Sequence, residues 1–540
     1  MMSDAAAVDP VRLEVFKQLY QAIAEEMGEV LMRTGFSPNI KERRDFSCAV
    51  FDAEGETIAQ AEHLPVHLGS MPMSVKSAIA AHSFSPGDMV LLNDPYSGGT
   101  HLPDLTLVMP VFAGDIERPA FFVANRAHHA DVGGIAPGSL TLSQELYQEG
   151  IILPPVKLCR GGEIEDDILS IFVHNVRTPN ERRGDLLAQI AANRVGEQRI
   201  REYIARYGLD EVSLYGRALQ DYAERVTRAL LAELPDAEVR SRDYLDDDGM
   251  GTADVAIVLS LRIEGDAATF DFTGSAPQLR GSLNAVEAIT LSAVTYALRL
   301  AVQEDIPTNA GSLRPIRLIA PAGTVVNALP PAAVAGGNVE TSQRIVDVVL
   351  AALAQVLPDR IPAASQGTMN NVTFGPTHGG AYTYYETIGG GAGAGPGWDG
   401  ASAVQVHMTN TLNTPIEALE RSAPVRIERY AIRRGTGGAG RFRGGDGIIR
   451  LYAFLDDVEV SVLSERRTHH PYGLAGGEPG ASGHNVVIDV DGTERQFPGK
   501  FRVTLPSGAR LRIETPGGGG WGDPQSRAEP KDGHPQQPGR

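Results

Sequence analysis

Residues 93–112 read NDPYSGGTHLPDLTLVMPVF and residues 121–134 read FFVANRAHHADVGG. Each contributes an apolar run of strand length, 105–112 and 119–126, and Ala113-Gly114-Asp115-Ile116-Glu117-Arg118 joins them. Paired as an antiparallel hairpin, the start of one strand lies beside the end of the other. A turn centred near Ile116 then sets Asp104 opposite His128 and His101 opposite Asp131. Gly98, Gly99 and Pro103 argue against a helix, so His101 and Asp104 sit on a loop that enters a strand.

Outward from this hairpin the pattern alternates between the two periods. Val11, Val15, Leu19, Ile23, Met27, Val30 and Leu31 recur at helical spacing over 11–34. NIKERRDFSCAVFDAEGETIAQ then reads as strand, a turn at Asp52 to Gly55, and strand again, and Asp88–Leu92 is another short β-like run. Two long helices are expected near 181–206 and 211–234, with Gly208 as the stop between them. Strands return over 252–275, helices near 284–303 and 339–356, and the C-terminal third is strand and glycine loop. The fold class is α+β: a multi-domain, mixed α and β chain with short antiparallel strands, glycine-rich loops and a central helical segment. We divide it into an N-terminal α/β region with the candidate metal site (1–165), a helical segment (166–240), an α/β region (241–360), a β-rich glycine-loop region (361–522) and a disordered tail (523–540).

Composition narrows the function classes. At 540 residues the chain has ample length for a core and a soft expectation of three or four domains. Lys plus Arg is 48 against 67 Asp plus Glu, a net charge of −19, with no basic run, so nucleic acid is not an expected partner. No apolar stretch reaches the roughly 18 residues of a membrane span, and MMSDAAAVDPVRLEVF lacks the pattern of a secretory signal. Cys48 and Cys159 alone exclude a disulfide framework or thiolate zinc cluster and read as structural residues. A cytoplasmic enzyme or enzyme subunit is expected. Glycine, 60 residues, is well above the usual ~7%.

Two imidazoles and one carboxylate, with positions left for water or substrate, form the ligand set of a divalent Mn, Fe or Zn site. The hairpin mouth offers that set, and His129 and Asp131 could then donate or accept protons beside it. The competing reading is that these are hydrogen-bonded structural side chains. His63 and His67 (EHLPVHLGSMP) have ligand-like spacing, but Pro65 prevents a regular helical pair, so they are substrate or outer-shell groups, or loop packing. His469 and His470, with Arg466 and Arg467, could meet an anion or form a solvated loop. Gly435 to Gly440 matches G-x-G-x-x-G, but RFRGGDGIIR follows it instead of a helix, which argues against a dinucleotide site. No P-loop motif is present. Gly389–Gly400 reads as a mobile flap or a close-packed turn. Asn410, Asn413 and Glu417 of HMTNTLNTPIE read as caps of turns and a following helix.

NDPYSGGTHLPD with RAHHADVGG resembles the hydantoinase B/5-oxoprolinase family, which includes N-methylhydantoinase B subunits and the acetone carboxylase alpha subunit. Further matching stretches are IKERRDFSCAVFD, YQEGIILPPVKL, GDLLAQIAANRVGEQR, DFTGSAPQLRGSLNA, GNVETSQRIVD, HMTNTLNTPIEALE, RFRGGDGIIR and TPGGGGWGDP, so the resemblance covers nearly all of residues 10–525. It implies an ATP-dependent pair in a hetero-oligomer. A separate hydantoinase A-type subunit of actin-like fold holds ATP and phosphorylates the substrate carbonyl, and the B-type chain completes the hydrolysis of a hydantoin, 5-oxoproline or another small cyclic amide. It also implies a divalent metal held by His101, Asp104 and His128, with His129 as the alternative third ligand; beside such a metal, His129 or Asp131 is read from the residues as the catalytic proton acceptor. Two rival readings are the alpha-type subunit of an ATP-dependent ketone carboxylase, and a scaffold that only docks the ATPase subunit.

Overall fold

The two hairpin strands lie at the centre of a seven-stranded sheet in the computed structural model of the chain, which describes residues 8–61, 64–114, 117–301, 307–378 and 382–527. Thr57–Gln60, Phe46–Asp52, Phe121–His128, Asp104–Val111, Met89–Leu92, Val156–Arg160 and Glu163–Ile164 follow side by side, every pair antiparallel. Asp104 pairs with His128, as the turn placement requires, and the ladder ends there.

Both central strands are buried along their whole length, which explains their nearly unbroken apolar sequence. Successive side chains point to opposite faces. Phe122 and Ala124 face the Met71–Ala81 helix, where Arg126 is held by the hydroxyls of Ser70, Ser74 and Thr106. Asn125 faces the Pro179–Tyr207 helix, bonding to Gln189 O and Asn193 Oδ1, while Gln189 and Asn193 reach back to the carbonyls of Leu105 and Leu107. The long helix is therefore bolted to the sheet by amides as well as by apolar contact.

The first helix runs Pro10–Thr34, with the Asp9 side chain accepting from Val11 N and Pro10 at its first position. Its period is the expected one, but its buried stripe is Phe16, Tyr20, Ile23, Met27 and Leu31, whereas Val11 is 73% and Val15 46% exposed. The aromatic rings set this rotation: Phe16 stacks on Tyr215 at 4.6 Å, and the Tyr20 hydroxyl donates to Val212 O at 2.8 Å. Tyr20→Phe is expected to lower stability by about 1 kcal/mol, the net value of one buried hydrogen bond, read from the denaturant midpoint. An unchanged midpoint would show that the ring alone sets the helix face.

NIK does not start a strand. Pro38–Lys41 is one helical turn capped by Ser37. The two long central helices are Pro179–Tyr207 and Leu209–Glu233, broken at Gly208, where φ is +85°. Later helices run Glu287–Ala301 and Ser342–Val356. The second is entered through a π-helical turn, Gly337–Thr341. A Cβ on Gly337 would stand 1.9 Å from Asn284 O, so only glycine permits this approach. Ala237–Asp247, Ala253–Glu264 and Ala267–Asp271 form an antiparallel sheet that Ile316–Ile319 extends in parallel. Two further antiparallel sheets, of four and five strands, make up most of the C-terminal third. One apolar core runs from Phe16 to Met408, and a second fills the C-terminal sheets. Cys48 and Cys159 are buried in the first. Among the described residues no helix is long and apolar enough to cross a membrane.

Beside the C-terminal sheets the glycine segments pack backbone against backbone. Gly517 to Gly520 lie at the centre, donating N–H groups to Ala481 O, Gly445 O, Ala364 O and Glu478 O. A Cβ on Gly518 would sit 2.0 Å from Ala392 O. Gly389–Gly400 is part of this assembly, hydrogen-bonded through Gly391, Ala392 and Ala394, and is thus the close-packed turn, not a flap. Gly437, Gly438 and Gly440 of the G-x-G-x-x-G stretch are likewise filled by neighbouring backbone. Of the expected disordered tail, Asp523 to Arg527 are described and include one 3₁₀ turn, Pro524–Ser526, and 528–540 lie outside the described residues.

Candidate functional site

At the end of the Asp104–His128 ladder three side chains converge. Asp104 Oδ1 lies 3.2 Å from His101 Nε2 and 3.4 Å from His128 Nδ1, and all three residues are buried. His101 comes from the turn before the strand. Gly98, at φ +94°, lets that turn fold back, and a Cβ on Gly99 would meet Asn93 O at 2.7 Å. Asn93 Nδ2 donates to Leu102 O, fixing the turn beneath His101. The other carboxylate oxygen, Asp104 Oδ2, accepts from the Thr100 hydroxyl at 2.7 Å and faces His67 Nε2 at 3.4 Å. The His128 ring stacks on Tyr385 at 4.6 Å, and Asn338, in the π-helical turn, places its Nδ2 3.0 Å from His101 Nε2.

Burial disfavours charge on His128, taking it down to about 3, and lowers His67. Burial also opposes charge on Asp104, but the facing His101 and His67 and the hydrogen bonds of His101 and His128 outweigh it and hold the carboxyl well below its ordinary range. A carboxylate beside the His128 imidazole, which burial keeps uncharged, suits a divalent cation. His101, Asp104 and His128 each offer a donor atom within 4.8 Å of the others. His101 Nδ1 and His128 Nε2, the ring nitrogens that do not face Asp104, have no hydrogen-bond partner among the described residues. The residues therefore fit a borderline-hard divalent ion.

His129 and Asp131, expected as proton acceptors, turn away. His129, the residue after the strand's last, turns to the face covered by the Pro179–Tyr207 helix, with Nε2 3.0 Å from Gln189 Oε1 and its ring against Phe172. With its ring on Gln189, His129 lies outside the donor set that His101, Asp104 and His128 form. Asp131 is consumed by Arg177, accepting from its guanidinium at 2.9 Å and its backbone N–H at 2.8 Å. His67 belongs to the cluster, while His63 lies outside the described residues. The anion reading of Arg466 and Arg467 also fails. Arg466 bridges Asp243 and Asp347 at 2.6 Å each, and Arg467 bonds Asn370 and Asn485. His469 meets Asp254 at 2.8 Å.

A cavity of about 20 Å³, room for one water, touches the cluster and is lined by Asp45, Asp104, His128, Asn338, Met408 and Thr409 among others. Leu64 lines both this space and a larger one of about 300 Å³ that reaches Tyr296 and Asn410. Asp45, Asn338, Tyr385 and Met408 were not foreseen. Asn413 is not a cap: it donates to Glu386 Oε2 and Thr387 O, tying its segment to the strand that carries Tyr385.

A buried two-imidazole, one-carboxylate centre on an antiparallel sheet defines the class as a candidate divalent-cation site. Comparison makes the lineage specific. The family model described as Hydantoinase B/oxoprolinase matches residues 9–524, and the chain belongs to that family. An uncharacterised protein of Methanocaldococcus jannaschii is 44% identical, covering 96% of this chain and 92% of its own length. 5-oxoprolinase 1 of Arabidopsis thaliana is 43% identical over 95% of this chain, which spans only 42% of that relative. A Pseudomonas protein (strain NS671), named as the B-type component of a D-/L-hydantoinase, is 33% identical over 98% of this chain and 92% of its own length. The ATP-dependent caprolactamase from Pseudomonas jessenii superposes with a TM-score of 0.90 at 31% identity, covering 97% and 92% of the two chains. Nucleotide-free acetone carboxylase shares the fold, with a TM-score of 0.89 at 17% identity over 96% of this chain and 76% of that one.

Proposed function

We propose that the chain is the B-type subunit of an ATP-dependent cyclic amidohydrolase, opening a hydantoin, 5-oxoproline or other lactam ring at the His101–Asp104–His128 centre. The observation that carries this is the buried Asp104 carboxylate set between the His101 and His128 imidazoles beside a one-water cavity. The caprolactamase and the relatives named for 5-oxoproline and hydantoin point to the same substrate class. ATP belongs to a separate A-type ATPase subunit in a hetero-oligomer. The matched part is 42% of the Arabidopsis 5-oxoprolinase, while the relative named as a B-type hydantoinase component matches over nearly its whole length.

An unactivated amide is a poor electrophile, and phosphorylation of its oxygen by the partner gives an imidate-like species. Water adds at its carbon, and the ring nitrogen leaves with a proton to give an acyl phosphate. A second water releases phosphate and the ring-opened carboxylate. A divalent ion, Mn, Zn or Fe, held by His101, Asp104 and His128 would supply Lewis acidity. Asp104 balances its charge, and Tyr385 and Asn338 fix the two rings. The cavity beside these donors has room for one water. Asp45, which lines that cavity, receives the proton of the attacking water.

Purified with an A-type subunit, the chain is expected to give lactam-dependent phosphate release matched by ring-opened product, with both chains required. Bicarbonate-dependent turnover of a ketone in place of the lactam would overturn the hydrolase reading in favour of carboxylation. Full lactam turnover by the A-type subunit alone would leave this chain a scaffold.

A further inference from the structure

His67 lies outside the set of three donors within mutual reach, yet it is 1% exposed and aimed at Asp104. Its role follows from counting hydrogens. Ser47 Oγ accepts the backbone N–H of Leu64 at 3.3 Å and stands 2.8 Å from His67 Nδ1. Ser47 has one hydroxyl hydrogen, and among the described residues the only acceptor beside it is that ring nitrogen. Leaving the hydroxyl unmade in a buried place would cost about 1–3 kcal/mol. The hydrogen therefore goes to Nδ1, and in a neutral imidazole the remaining proton must sit on Nε2. An unprotonated Nε2 would also set a lone pair against the Asp104 carboxylate.

On this reading of the centre as a cation site, we infer that His67 is a positioning residue and not a ligand: held in the Nε2–H form by Ser47, it clamps Asp104 Oδ2 so that Oδ1 is presented to His101 and His128. Asp104 thus has a divided carboxylate. Oδ2 is satisfied by the Thr100 hydroxyl and His67, and Oδ1 faces the two ligand imidazoles. Ligand-orienting partners of this kind commonly contribute 10- to 100-fold in metal affinity. The chain Leu64 N–H, Ser47 Oγ, His67, Asp104 also ties the loop that walls the larger cavity to the geometry of the centre.

The test uses the full chain titrated with cobalt(II), followed by ligand-field absorption and by affinity. His67→Ala is expected to weaken binding about 10- to 100-fold, with one ion still bound and the spectrum of the wild type retained at saturation. His67→Gln, which offers an amide N–H at similar reach, is expected to recover most of the affinity. Ser47→Ala frees the ring to change tautomer and is expected to weaken binding in the same direction. A changed coordination spectrum in His67→Gln, or loss of stoichiometric metal from His67→Ala, would make His67 a ligand and overturn the inference. Unchanged affinity in a His67→Ala chain with a wild-type unfolding midpoint would reduce it to packing. If the wild type itself takes up no cobalt, the cation reading of the whole centre falls, a result distinct from either.

Discussion

Replacing Asp104 with alanine is expected to leave a folded chain that retains no divalent metal after desalting and has lost ring opening by roughly a thousandfold. The size follows from what the carboxylate does. It is the anion of the proposed donor set, and it faces both ligand imidazoles from one oxygen. Lewis-acid stabilisation contributes several kcal/mol at the transition state, and each 1.4 kcal/mol is tenfold, so its loss reaches about three orders of magnitude. Folding loses less. The Thr100 hydroxyl and the His67 N–H both lose their acceptor, at about 1–3 kcal/mol each, against a sheet otherwise held by continuous apolar packing. Elemental analysis beside the unfolding midpoint separates the two effects. An alanine variant that kept stoichiometric metal would place the ion elsewhere. Arg177→Ala, which frees Asp131, should by contrast cost stability and leave metal content unchanged, because Asp131 holds a loop and not the centre.

The largest loss of stability is expected from Arg450→Met. Arg450 and Glu386 are fully buried and joined at 2.7 and 3.1 Å, and Glu386 also accepts from Tyr452, Tyr384 and Asn413. Removing the guanidinium leaves an uncompensated carboxylate in a low-dielectric interior, which costs about 3–5 kcal/mol, read as a shifted denaturant midpoint. Arg450→Met combined with Glu386→Gln should recover much of that cost, since an amide can stay neutral among the same donors. A double variant no better than the single would mean that packing, not charge, sets the penalty. The effect should extend to the candidate centre. Asn413 belongs to the segment whose Met408 and Thr409 line the small cavity, and Tyr385, one residue before Glu386, stacks on His128.

The periodic parts of this architecture were legible because period fixes both the element and the face. A two-residue repeat with a countable turn placed Asp104 against His128. His129, the residue after the second strand's last, turns to the face covered by the Pro179–Tyr207 helix, and there the adjacency of the two histidines misled. The rotation of the first helix was not legible, because it depends on where Tyr215 and Val212 arrive from nearly 200 residues away. Asn338, Tyr385 and Met408 reach the centre through similar long-range packing and carry no local signature of their own. The π-helical turn that brings in Asn338 had only its two glycines as a hint. Ser47, one polar residue in an otherwise apolar strand, carries no local sign of its contact with His67.

The wall of crossed glycine segments has an evolutionary consequence. Every single-base change that alters a glycine codon either adds a side chain or ends translation. At Gly518, and at Gly437, Gly445 and Gly519, a Cβ would fall about 2 Å from a neighbouring carbonyl oxygen. These positions have no near neighbour in sequence space that still folds, so drift in this part of the molecule is confined to its rims. The walls of the larger cavity, along the loop of Leu64 and the segment of Asn410, are by contrast built of side chains that can be exchanged.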